Sequence, residues 1–205
     1  MRNKTYAADQ GTQLPLLLFF LLSAAGWLWE VLFVALTTGD LVNRGVLRGP
    51  WLPIYGTGGL LILLLFGRAR GVPLFLLSAM TGGAVELGAS LALESAFHRR
   101  WWDYTGWTGS LQGRVCLASL TAFGALGWLL VCFLGPVLGR LLAGLSYRTR
   151  RALCRGLCVL FLLDAAGALA APNSGAGISF PAPWAGSGDP QAPAAERRQL
   201  DRVEH

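Results

Sequence analysis

The chain has 205 residues, of which 54% are hydrophobic and only 14% charged. A water-soluble domain carries about 25% charged residues, so much of this surface must face something other than water. The net charge of +6 does not point to a nucleic-acid partner: Lys4 is the only lysine, most arginines flank apolar runs as topology determinants do, and no basic run is interleaved with exposed aromatics in a soluble setting.

Residues 1–13 are polar, with Arg2 and Lys4, and read as a short cytoplasmic lead. The run 14–22 followed by Ser23-Ala24-Ala25 has the outline of a signal peptide. Apolar character resumes after Gly26 and continues to Leu36, broken only by Glu30. A first membrane span over 14–38 is therefore the better reading, since about 20 apolar residues cross the ~30 Å hydrocarbon core. A carboxylate inside such a span costs roughly 2.5–3.5 kcal/mol on insertion scales, so Glu30 is expected to face protein or water.

The stretch Asn43-Arg44-Gly45-Val46-Leu47-Arg48-Gly49-Pro50-Trp51-Leu52-Pro53-Ile54-Tyr55-Gly56 follows. Its two arginines, three glycines and two prolines exceed what a plain connection needs. A second, short span is predicted over 52–66, opened by prolines that suit a first helical turn. Gly56, Gly58 and Gly59 would let its backbone approach a neighbouring helix. Short spans interrupted by glycine and proline often mark binding sites in transporters.

After the basic turn at Arg68 and Arg70, a third span over 72–97 carries Glu86, Ser90 and Glu94 at four-residue spacing, hence on one face. A polar stretch then brings His98-Arg99-Arg100-Trp101-Trp102-Asp103-Tyr104 and Gly113-Arg114; tryptophan and tyrosine beside arginine fit the headgroup level. The fourth span, 115–142, has no charge until Arg140, and the fifth, 152–171, contains Asp164 with no partner evident in the sequence. Residues 172–205 are rich in Pro, Gly, Ala and Ser and then charged, and are expected to be disordered. The expected architecture is an all-α polytopic membrane domain over 14–171 with about five helices.

Cys116, Cys132, Cys154 and Cys158 all fall in or at the edges of spans and read as small apolar fillers. There is no zinc-like Cys/His spacing, and no metal or cofactor is expected.

Five spans put the termini on opposite sides. Arg2, Lys4, Arg68, Arg70, Arg140, Arg148, Arg150, Arg151 and Arg155 share the N-terminal side, against Arg44, Arg48, Arg99, Arg100 and Arg114 opposite. The positive-inside rule then favours a cytoplasmic N-terminus in the bacterial inner membrane. The unusual residues converge in the outer half of the bilayer: Glu30, Glu86, Glu94 and Asp103 against Arg44, Arg48, Arg99, Arg100 and Arg114. A mutually paired cluster is expected, with Asn43, Tyr55, Trp102 and Tyr104 around it and some capacity left for a ligand. The excess of one arginine does not set the ligand's sign.

Gly26-Trp27-Leu28-Trp29-Glu30, Asn43-Arg44-Gly45, Gly49-Pro50, Pro53-Ile54-Tyr55-Gly56, Glu94, Trp101-Trp102-Asp103-Tyr104 and Gly113-Arg114 occur in this order. Together they resemble the Putative ABC-transporter type IV (CmpB-like) family of bacterial membrane proteins over roughly residues 14–140. The departure is at Gly109-Ser110-Leu111-Gln112, where the family more often has an asparagine-containing turn. The last span and the tail fall outside the resemblance. It implies a permease. No glycine-rich loop ends in Gly-Lys here, so no phosphate cradle of that type exists and an ATPase would be a separate subunit. The turn around Arg148 to Arg155 is where such a subunit would dock.

Three functions compete. The first is a permease whose charged cluster binds a polar solute or lipid headgroup. The second is a membrane-embedded enzyme on lipid-linked substrates, with paired carboxylates as acid and base and arginines on a phosphate. Against it, His98 and His205 are the only histidines. The third is a structural or accessory membrane protein, in which the cluster only holds the loops. Membrane lipid is a partner in every case, and a homo-oligomer is open.

Overall fold

The computed structural model describes residues 12–39 and 41–173. The polar lead up to residue 11 and the tail from residue 174, expected to be disordered, lie outside the described residues. Six helices follow one another: α1 Gln13–Thr38, α2 Pro53–Phe66, α3 Gly71–Phe97, α4 Leu117–Leu129, α5 Gly135–Gly144 and α6 Tyr147–Ala170. Helices α4 and α5 are joined by a π-helical turn, Leu130–Leu134, and form one continuous rod. Four elements (α1, α3, the α4–α5 rod and α6) are long and apolar enough to cross a membrane, and α2 is a shorter apolar helix. The fold is all-helical among the described residues, as the apolar runs predict.

Local chemistry explains the boundaries. Pro53 opens α2 where its missing N–H is not needed. α1 stops at Gly39, which takes a left-handed conformation at φ 81° and returns its N–H to the Ala35 carbonyl. Pro136 has no N–H to offer the carbonyl four residues back. The rod widens just before it, and Gly135 donates instead to Leu130, five residues back. The last helix begins at Tyr147 rather than at 152. Ser146 caps it by accepting from the Thr149 amide at 3.1 Å, so Arg148, Arg150 and Arg151 lie in its opening turns rather than in a loop.

Helix α2 sits between α1 and α3, and α4 lies against α3 on the far side. Small residues let these backbones close up. The ring of Tyr55 fills the space a side chain at Gly26 would need, and the ring of Phe123 does the same at Gly82. Towards the end with the short turns, the rod crosses back to α1: Leu14, Leu17 and Leu18 pack with Leu142 of α5 and Cys154 of α6. Higher up, Phe20, Trp51 and Phe161 interlock edge to face with centroids 5.7–6.2 Å apart, fastening α6 to α1 and to the first long loop. Large apolar side chains such as Leu160, Leu162, Leu163 and Leu169 of α6 stay exposed, as a lipid-facing helix requires.

The two long loops, 39–52 and 98–116, stand at the same end of the bundle. At that end α1 and α4 have no extensive contact: α1 packs on α2, α5 and α6, and α4 packs on α3. The rod closes the bundle at one end and leaves it parted at the other.

Candidate functional site

Where α1 and α4 part there is a cavity of about 700 Å³, lined by α1, α2, α3, α4 and both long loops. Its walls are mostly apolar and aromatic, and its charged lining residues are Glu30, Arg44 and Glu86. Glu30 lies 8 residues before the end of α1 and Glu86 lies 11 before the end of α3. At 1.5 Å per residue they stand about 12 and 16 Å below the loops.

Glu30 is held from two directions. The Arg44 guanidinium reaches its Oε2 at 3.3 Å, and the Tyr55 hydroxyl donates to Oε1 at 2.7 Å. Arg44 is 8% exposed, so a loop residue is folded down to the depth of a helix carboxylate. Glu86, 4% exposed, has a different environment. The Tyr104 hydroxyl donates to its Oε1 at 3.0 Å and Ser119 Oγ to its Oε2 at 2.8 Å. Both donors are neutral, and no arginine of the described residues forms an ion pair with it. Burial and the neighbouring Glu86 hold the Tyr104 phenol far above its usual titration range, so it remains a neutral donor.

A second group of charges stands at the rim. The Arg114 guanidinium binds Glu94 and donates to Ser90 Oγ at 2.9 Å, while Arg100 reaches Glu94 at 3.3 Å. Trp102 donates its indole N–H to the Arg114 carbonyl at 3.0 Å. This triad fastens the second long loop to α3 and does not line the cavity.

Four residues of the expected cluster do other work. Asn43 accepts from the Trp27 indole at 2.7 Å and donates to the Arg48 carbonyl at 2.8 Å, pinning the first loop to α1. Arg48 points away and donates to the Ala171 carbonyl at 3.3 Å. Asp103 accepts from the amide and hydroxyl of Thr105 in a local turn rather than from an arginine. Arg99 stacks over Trp101, 5.4 Å from the ring centroid.

Asp164 has partners that its position in the sequence hides. Its carboxylate accepts from the Arg48 amide at 3.0 Å, the Gly49 amide at 2.8 Å and the Trp51 indole at 2.7 Å. The last helix thus carries a receptor for the turn that leads into α2. Asn173, just beyond α6, adds donations to the carbonyls of Asn43 and Gly45 at 3.0 Å each. Ser119 was equally hidden, since a serine in an apolar helix carries no signal until a partner faces it. No group of three or more His, Cys, Asp or Glu side chains that could hold a metal ion occurs among the described residues.

A family model, Putative ABC-transporter type IV, matches residues 17–169. The chain belongs to this family. The match includes the last span, which the sequence motifs placed outside the resemblance. Within the matched region, Asp164 of that helix binds the Arg48 and Gly49 amides and the Trp51 indole, so the last span is tied to the Gly49-Pro50 turn. No curated protein and no solved structure matches the chain. With its apolar helices, this member of the type IV family is a multi-pass membrane protein.

Proposed function

We propose that this chain is the membrane-spanning permease subunit of a transporter, and that the cavity between α1 and α4 takes the polar head of a lipid-like solute. The observation that carries the reading is that Trp29 and Phe33 of α1 and Leu126 of α4 line the cavity and are exposed, while Glu30, Arg44 and Glu86 line it too. In this reading the gap between those two helices, both in membrane-length elements, is a mouth that opens sideways. A cleft with apolar walls and a few placed polar groups is the usual form of a small-molecule site. A mouth at this depth admits an amphiphile sideways from the bilayer. An enzyme is the weaker reading, because no histidine lines the cavity and the hydroxyls of Tyr104 and Ser119 are occupied in holding Glu86.

Native mass spectrometry of the detergent-extracted protein tests this. Ala122 lines the cavity and is exposed, so Ala122→Trp should fill the cleft without disturbing the helix packing. Wild-type protein should retain an amphiphile that Ala122→Trp loses and that Glu30→Gln holds more weakly. An identical ligand complement in all three would remove the cavity from the proposal.

The basic side of the bundle, with the N-terminus, lies in the cytoplasm of the inner membrane in this reading. The start of α6, from Arg148 to Arg155, is the surface for a separate ATPase subunit, since the sequence has no Gly-Lys phosphate loop. Affinity capture should recover an ATPase whose yield falls on joint Arg148→Ala and Arg151→Ala substitution. Recovery of none would count heavily against the subunit arrangement and against the cytoplasmic placement of that surface.

A further inference from the structure

The charges that line the cavity do not balance. Glu30 and Arg44 neutralise each other at 3.3 Å. Glu94, Arg114 and Arg100 satisfy one another at the rim, outside the cavity lining. Arg48 is turned towards the end of α6. Glu86 remains, buried, with two hydroxyl donors and no counter-ion among the described residues. The near-balance of acids and arginines in the sequence therefore becomes, at the cavity, one carboxylate in excess.

A buried carboxylate is costly unless it is neutralised. Each Glu86 oxygen accepts one hydrogen bond from a hydroxyl and keeps a further lone-pair direction. The surroundings supply the rest of a cation site. The rings of Tyr55 and Phe123 lie together with centroids 6.3 Å apart, and Trp102 and Tyr104 complete the lining on the loop side. Aromatic faces attract ammonium-type cations through the ring quadrupole, more strongly where water is excluded. An anionic head would meet the excess carboxylate instead and would have to break the Arg44–Glu30 pair to find a partner.

We propose that the occupant of the cavity is an amphiphilic organic cation, its onium head set against Glu86 among the aromatic rings and its apolar body extending through the side mouth. The inference rests on the cavity being the binding site of the permease reading above and adds the sign and class of the ligand.

Two probes of nearly equal shape and opposite charge test it: tetraphenylphosphonium and tetraphenylborate. Binding is measured by tryptophan quenching and calorimetry on the full chain in phosphatidylcholine nanodiscs, with empty nanodiscs subtracted. The phosphonium should bind roughly tenfold or more tightly than the borate. Glu86→Gln, which keeps the shape and acceptor oxygen but removes the charge, should abolish that preference. Equal binding of the two ions, a preference for the borate, or a preference unchanged in Glu86→Gln would each overturn the cation assignment and leave the cavity reading standing. Binding of neither ion, together with unaltered behaviour of Ala122→Trp, would overturn both. The comparison of the two ions on wild-type protein needs no variant to fold.

Discussion

Replacing Asp164 by alanine is expected to free the turn before α2 from the last helix and to destabilise the protein by about 1.5–3 kcal/mol, since the site is partly open to solvent. The carboxylate is the acceptor for two backbone amides and one indole N–H, at 2.7–3.0 Å. Hydrogen bonds to a charged group contribute about 1.5–3 kcal/mol each, and they are not additive. The loss would be compounded because the Gly49 amide and the Trp51 indole are partly buried and would have no alternative partner. Trp51 is 8% exposed and packs edge to face with Phe20 and Phe161, so a shift in its ring loosens the contact between α1 and α6 as well. Limited trypsin digestion reads this directly, since Arg48 is exposed and precedes Gly49. Cleavage there should be much faster in Asp164→Ala than in wild type, with Asp164→Asn between them because it keeps one acceptor oxygen. Equal cleavage rates would mean that the turn is held by something other than this carboxylate.

The spans were legible because membrane thickness sets the length of an apolar run, and that length needs no tertiary information. The shortness of α2 could be read from Pro53, whose missing N–H marks a helix start. The start of α6 could not. Arg148, Arg150 and Arg151 look like loop residues, and only the Ser146 cap shows that the helix has already begun. The π-helical turn at Leu130–Leu134 was also invisible, because Pro136 can either kink a helix or end one.

At the site, composition and depth brought Glu30, Arg44, Tyr55, Glu86 and Tyr104 to one end of the bundle, but they could not assign pairs. Arg44 is 14 residues from Glu30, and Arg114 is 20 from Glu94. Arg48, four residues after Arg44, turns the other way because Asp164 binds its amide and draws the chain towards α6. That contact spans 116 positions, and no local pattern announces it. The sign of the cavity depended on this sorting. Counting arginines against acids by depth suggested a small positive excess, whereas removing Arg48, Arg100 and Arg114 from the cavity reverses it.

The rim triad should respond asymmetrically to substitution, with Glu94→Ala more damaging than Arg114→Met. The arginine side chain is the more buried partner, at 8% exposed against 35% for the glutamate. Removing Glu94 leaves a buried guanidinium whose one remaining acceptor in the pair's surroundings is Ser90 Oγ, at 2.9 Å. A buried guanidinium left without its carboxylate keeps its desolvation cost with little to offset it, so this is the larger of the two losses. Removing the arginine instead leaves Glu94 near solvent with Arg100 still at 3.3 Å, and the loss should be the smaller one, mostly the bond to Ser90 and the packing of the side-chain stem. The double variant, with neither charge, should therefore be more stable than Glu94→Ala alone. Thermal unfolding followed by a thiol-reactive fluorophore suits the measurement, because Cys116 and Cys154 are buried in the folded protein. If Glu94→Ala and the double variant melt together, the stranded guanidinium is not the source of the loss, and the second long loop is held by Trp102 and the local turns around Asp103 rather than by charge.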